Sequence, residues 1–240
     1  MYPYTVCLTS CARFDLLERT LESLLPRLEG PCERIIIGED SGDCEIFNVV
    51  EHFQSDAPFI YVILNHRRLG ICRNIDRIYA EVDTDWIFHC EDDWEFSRDG
   101  FIRESFSVMQ DAGISSVNLR DISDFGPGFW SPVGDSHYVA NVDVAGGIAG
   151  LHFNPGLRRM HDYHTIGPYG RLAPNSRETD VSIAYLSAGK RMALLKQPAV
   201  SHIGEGRHIS KSRAFADRIS RTIEKRLHWI GIGPPPRRRR

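Results

Sequence analysis

Short continuous apolar runs alternate with helix-period stretches through the first half of the chain, and this alternation limits the fold more than any other feature. YTVCLTS, RIIIG, FIYVIL and WIFHC read as strands. Between them lie Phe14, Leu17, Leu21, Leu24 and Leu28, then Ile46, Phe47, Val49, Val50 and Phe53, then Ile71, Ile75, Ile78 and Tyr79 within residues 70–81, all at helical spacings. Pro26 is expected to kink or end the first helix near its last turn. Strands that are apolar on both faces and separated by helices make a mostly parallel sheet covered on both sides. Such sheets bind ligands beyond the carboxyl ends of their strands. Three of the runs lead into polar segments, TSCAR, EDSGD and EDDWE. These segments are expected to meet in one cleft.

Beyond Gly100 the pattern loosens. SSVNL suits a further strand, and residues 121–150, rich in Gly, Pro and aromatics, suit the floor or lid of a site. A helix over 179–188 and a strand RMALL follow, then an amphipathic helix carrying Phe215, Ile219, Ile223 and Leu227. The 240 residues fit one large domain over 1–233. Within it, residues 1–97 form one half and 98–233 the other, and residues 234–240 are expected to be a disordered basic tail. A net charge of -3 gives no general drive toward nucleic acid. No apolar run is long enough to span a bilayer, and no basic region followed by a hydrophobic stretch opens the chain. The expectation is a cytoplasmic protein, with the terminal RRRR able either to touch an anionic membrane surface or to serve as a solubilising tail. All six cysteines lie in the first 90 residues without a C-x-x-C pair. Buried reduced thiols are expected over a zinc site or disulfide framework.

The run DTDWIFHCEDDWEF crowds Glu91, Asp92, Asp93 and Glu95 at the end of an apolar strand. Were the chain extended there, Glu91, Asp93 and Glu95 would share one side, with Asp92 and Trp94 on the other. Carboxylates forced together hold protons or a cation. A hard ion such as Mg²⁺ or Mn²⁺ uses one or two carboxylates together with substrate phosphate oxygens. The alternative is a solvated acidic turn.

The chain resembles the GT-A glycosyltransferases of the family 2 type from about Tyr4 to His202. The segments that carry the likeness are VCLTSCARFDLLERTLESLL, IIIGEDSGD, LGICRN, FHCEDDWEF and RETDVSIAYLSAGKRMALLKQPAVSH. The resemblance implies a GT-A, Rossmann-like α/β fold with a mostly parallel central sheet and a C-terminal acceptor-binding part. It implies that Thr9 and Arg13 touch the nucleotide, that Asp40 bonds the base or ribose, and that Arg73 lies near the base and phosphate. Glu91 would face the ribose with Asp92 beside it, and Asp93 would coordinate the metal. His202 would contact metal or diphosphate. Glu stands where the family's metal motif usually begins with Asp. Arg73 could equally be a surface helix residue, and His202 a structural histidine.

The implied reaction moves a sugar from a nucleotide-diphosphate donor, UDP favoured, to a hydroxyl of a glycan, lipid-linked or other small acceptor. Mn²⁺ or Mg²⁺ would neutralise the departing diphosphate. A general base would take the acceptor proton, with inversion at the anomeric carbon. Counting back from Gly189, Glu178 aligns with the acidic residue that serves as the family's catalytic base, and Asp180 is the second candidate. Asp180 could instead be only a helix N-cap. Trp94 and Trp130 could stack on a sugar or simply pack in the core. Gly146 and Gly147 could admit a ligand or make a turn. Two rivals stand beside this reading. A nucleotidyltransferase would be expected to carry a Gly-rich phosphate loop, which TSCARFD does not supply. A non-catalytic sugar- or nucleotide-binding module would keep the cleft without the base.

Overall fold

The computed structural model describes residues 1–54, 58–175 and 177–207. Its strands are β1 (Tyr4–Ser10), β2 (Cys32–Glu39), β3 (Ile60–Leu64), β4 (Trp86–Glu91), β5 (Trp94–Phe96), β6 (Ile114–Asn118), β7 (Trp130–Val133), β8 (His137–Ala140), β9 (Gly156–Arg159), β10 (Arg191–Leu195) and β11 (Val200–His202). Its helices are α1 (Phe14–Leu24), α2 (Glu45–Glu51), α3 (Ile71–Tyr79), α4 (Phe101–Val108), α5 (Val142–Ala145), α6 (Met160–Ile166), α7 (Tyr169–Leu172) and α8 (Glu178–Ser187). The chain divides after Ile203 into two units, and only residues 204–207 of the second are among those described. The expected helix of Phe215, Ile219, Ile223 and Leu227 and the basic tail at 234–240 lie outside the described residues.

Among the described residues, nine strands form one sheet in the order β3-β2-β1-β4-β9-β6-β10-β8-β7. β1 to β4 are mutually parallel, and β10 is parallel to β6. β9 runs antiparallel between β4 and β6, and β8 antiparallel between β10 and β7. The expected mostly parallel sheet is therefore present, with two reversed strands inserted in its second half.

The period-two alternation of each strand divides its side chains between two cores. Tyr4, Val6, Leu8, Ile35, Ile37, Phe88 and Cys90 join Leu17 and Leu21 of α1, Val50 of α2 and Phe101 of α4 on one face. Cys7, Ile36 and Ile87 join Ile75 and Ile78 of α3, Met160 of α6, Tyr169 of α7 and Val181 of α8 on the other. Both faces are covered, which is why the strands read as continuous apolar runs. Pro26 acts as expected: α1 ends at Leu24, and Leu25–Arg27 continues as a single 3₁₀ turn. The six cysteines are unpaired; Cys7, Cys72 and Cys90 are buried, and Cys44 is exposed. Among the described residues, no helix is long and apolar enough to cross a membrane.

Candidate active site

Parallel register brings the polar strand ends together. In it Thr9 of β1 stands opposite Gly38 of β2 and Glu91 of β4, so TSCAR, EDSGD and EDDWE meet at one edge. The chain does not stay extended after Glu91. It turns at Asp92 and Asp93 before β5, so the expected alternation fails and both aspartates face one cation. That cation is Arg13. Its Nη2 pairs with Asp92 Oδ1, and its Nη1 lies 2.5 Å from Asp93 Oδ2. Burial works against the Arg13 charge, but Asp92 and Asp93 outweigh it and push its pKa up. Asp92 also accepts the Cys11 N–H at 3.2 Å. Burial pushes the Asp92 carboxyl up to about 6 while Arg13 pulls it down.

Glu91 is the least relieved of these acids. Burial, then Asp93, then Glu178 push its carboxyl up to about 8, and Trp94 Nε1 donates to its Oε2 at 3.3 Å. Glu178, in the first turn of α8, bonds the N–H of Phe153, whose ring lies 6.1 Å from that of His89 in β4, two residues before Glu91. β11 pairs antiparallel with β5, His202 opposite Trp94, and so returns to Asp93 from a segment over one hundred residues away. His202 Nε2 is 3.2 Å from Asp93 Oδ2.

Asp93 and His202 fit a divalent cation in kind, since a carboxylate oxygen and an imidazole nitrogen converge on one point. Among the described residues, no group of three or more His, Cys, Asp or Glu side chains could hold an ion by itself. The pair thus suits a cation whose remaining ligands come from substrate oxygens; the nearby Glu91 carboxyl is raised chiefly by burial, then by Asp93 and Glu178.

Other candidates sit less simply. Asp40 is buried, and both its oxygens are engaged: Oδ1 by Leu69 N–H (2.7 Å) and Asn65 Nδ2 (3.0 Å), Oδ2 by Gly70 N–H (2.8 Å). It clamps the loop before α3. The adjacent Glu39 is fully buried, and its Oε1 accepts N–H groups of Ala12 (3.1 Å) and Ser41 (2.8 Å). Its Oε2 has no partner among the described residues. Glu39 is absent from the residues named from the sequence, although its place as the last residue of an apolar strand is a signal for it. Arg73 lies exposed in the first turn of α3. Trp94 is 2% exposed and Trp130 8%, so both are packed residues rather than open platforms. Arg120 lies over the ring of Trp94, 5.4 Å from its centroid, and over Phe125 at 5.2 Å. Gly146 closes α5 with φ +55, while a Cβ at Gly147 would sit 3.1 Å from Ile183 Cγ1 of α8.

Glu178 opens α8, whose N-cap is Arg177; Asp180 lies inside the first turn, so the expected capping role for Asp180 is not the one it has. Glu178 Oε1 accepts the N–H of Phe153 and lies 3.5 Å from His152 Nδ1. Asp180 is partly exposed and makes no side-chain hydrogen bond among the described residues.

This architecture, with an acidic turn after the fourth strand and a late histidine returned to it, is the GT-A fold. The family model for Glycosyl transferase family 2 matches residues 5–167, and the chain belongs to that family. No curated protein matches its sequence. Among solved structures it is similar to the mannosyltransferase PcManGT from Pyrobaculum calidifontis in complex with GDP-Man and Mn²⁺, with TM-score 0.61, 11% identity, and 97% of this chain and 65% of that one covered. It is similar to S. aureus TarS 1-349 in complex with UDP (TM-score 0.59, 10% identity, 82% of this chain and 59% of that one). It is also similar to GalNAc-T7 with UDP, GalNAc and Mn²⁺ (TM-score 0.65, 12% identity, 84% of this chain and 44% of that one). The chain therefore spans less than two thirds of each of these proteins.

Proposed function

We propose that the chain transfers a sugar from a nucleotide-diphosphate donor to an acceptor hydroxyl, with a divalent cation and inversion at the anomeric carbon. One observation carries this reading. Asp93 pairs with His202 at the strand ends beside the buried Glu91, and Glu178 holds the N–H of Phe153, which packs on His89 of the same strand β4. The family membership and the nucleotide-bound structures of similar fold support it.

Asp93 and His202 would hold Mn²⁺ or Mg²⁺. When bound, the cation supplies positive charge against the diphosphate leaving group. Glu39, fully buried with Oε1 holding the Ala12 and Ser41 N–H groups, would shape the first loop where it borders the nucleotide. Thr9 and Arg73 would line the nucleotide, and Arg13, paired with Asp92 and Asp93, would border its phosphates. Glu178 would take the acceptor proton through Oε2, because Oε1 already receives the Phe153 N–H. A second assignment rests on that same bond: if Glu178 serves only to hold the loop, Asp180 is the base. The acceptor is a hydroxyl of a glycan, a lipid-linked sugar or another small molecule. A cytoplasmic location, with the basic C-terminal segment against a membrane surface, belongs to this proposal.

Glu178→Gln tests it. Turnover is expected to fall by about 10²–10⁴ while donor affinity stays within about twofold. Retained turnover would move the base to Asp180. Absence of turnover in the unaltered protein, with donor binding intact, would favour a binding module.

A further inference from the structure

Residues 150–154 form a strap that is fastened on two sides. On the α8 side, Ser182 Oγ accepts the N–H groups of Gly150 (2.9 Å) and Leu151 (3.0 Å), and Glu178, one turn earlier, accepts that of Phe153. On the sheet side, Arg158 of β9 is 2% exposed and lies within ion-pair range of no carboxylate among the described residues. Its Nη2 donates to the carbonyls of His152 (2.6 Å) and Asn154 (3.3 Å), its Nη1 donates to Tyr79 Oη (3.0 Å), and its guanidinium lies 5.9 Å from the Phe153 ring centroid. A buried guanidinium spent on carbonyl oxygens is expensive to desolvate, and what it secures here is the backbone that faces Glu178.

We infer that His152 is a positioning residue for the Glu178 carboxylate, donating Nδ1–H to Oε1 so that Oε2 alone is left for the acceptor proton. The inference rests on the proposed role of Glu178. The contact measures 3.5 Å, at the outer limit of a hydrogen bond, and contacts of this kind tighten when substrate completes a site. Burial holds the imidazole below its ordinary pKa against the pull of Glu178, so it is neutral near pH 7 and carries one N–H. That hydrogen belongs on the nitrogen that faces a carboxylate. Nε2 is then a bare acceptor, and it is the ring nitrogen without a partner among the described residues. The T-shaped contact with Phe125, ring centroids 6.4 Å apart, holds the ring plane. Among the described residues, Glu91 and Cys72 also lie within electrostatic range of Glu178, and Arg120 and Arg158 within that of His152.

The test compares His152→Ala, His152→Phe and His152→Asn with the unaltered protein by two readouts. One is the acid limb of the kcat/KM pH profile. The other is the titration of the Glu178 ¹³Cδ resonance in glutamate-labelled protein, assigned with Glu178→Gln, which needs no turnover. Loss of a donor to the charged form should move both midpoints upward by about one unit in the Ala and Phe variants. Below the limb, turnover should then fall about tenfold. His152→Asn, which can present Nδ2–H in the place of Nδ1–H, should recover most of the shift. The Phe variant keeps the ring volume and serves if the Ala variant does not fold. Unmoved midpoints in the Phe or Ala variant, whatever the loss of turnover, would overturn the inference. Retained turnover in Glu178→Gln would instead remove the base assignment, and the ¹³C titration would still decide whether His152 acts on that carboxylate.

Discussion

Arg13→Ala should be among the most damaging single changes near the cleft, and its effect should depend on pH in a particular direction. The side chains of Arg13, Asp92 and Asp93 are 15%, 1% and 7% exposed, so the pairing is nearly withdrawn from water. Removing one partner of a buried pair costs about 3–5 kcal/mol because the other charge is stranded. The partial exposure of Arg13 lowers this to about 2–4 kcal/mol. For a chain of this size that is a fall in Tm of roughly 4–16 °C. The Asp92 carboxyl is already raised to about 6, burial raising it and Arg13 lowering it. A carboxyl raised in the folded state detracts from stability as pH climbs through that value, and loss of Arg13 extends the detriment upward. At pH 5 Asp92 holds its proton with or without Arg13, so the share of the loss that comes from Asp92 should be small there and largest near pH 8. Urea unfolding in EDTA at pH 5, 6.5 and 8 measures it. A loss below about 1 kcal/mol at pH 8, or one constant across pH, would refute the reasoning.

Glu39→Gln and Asp40→Asn should each chiefly lower Tm, because both carboxylates hold backbone N–H groups that an amide nitrogen cannot accept; thermal unfolding measures the loss, and calorimetry should find diphosphate affinity within about twofold. Gly150→Ala would place a Cβ 2.1 Å from the Ser182 carbonyl oxygen, so the strap must lift from α8. The expected cost is about 2–4 kcal/mol, with turnover lost, read by denaturant unfolding and assay. Because the Glu91 and Asp92 carboxyls are raised to about 8 and about 6, stability in EDTA should decline from pH 5 to pH 8. Mn²⁺ with a bound nucleoside diphosphate should flatten that slope in a Tm series. A flat profile in EDTA would contradict the account.

The sheet was readable because its strands are covered on both faces, so each is a continuous apolar run with its polar end in view. Register then followed from parallel pairing, and the meeting of TSCAR, EDSGD and EDDWE with it. What could not be read was where individual carboxylates point. Asp92 and Asp93 lie in a turn, and the two-residue period that separates side chains along a strand does not reach them. Asp40 is engaged by the backbone N–H groups of Leu69 and Gly70, which no side-chain pattern records. His152 and Arg158 belong to a stretch without periodicity, and their relation to Glu178 is made by tertiary contact alone. The two reversed strands, β8 and β9, are four residues long each, too short to carry direction in their sequence.

The central claim is that a metal diphosphate belongs among these acids. Calorimetric titration of UDP, GDP, dTDP and CDP, each with Mn²⁺ and with EDTA, on the unaltered protein and on Asp93→Ala, tests it most directly. One diphosphate should bind, EDTA should abolish the binding, and Asp93→Ala should weaken it by tenfold or more. Failure of all four to bind, or binding indifferent to both EDTA and Asp93→Ala, would contradict the claim.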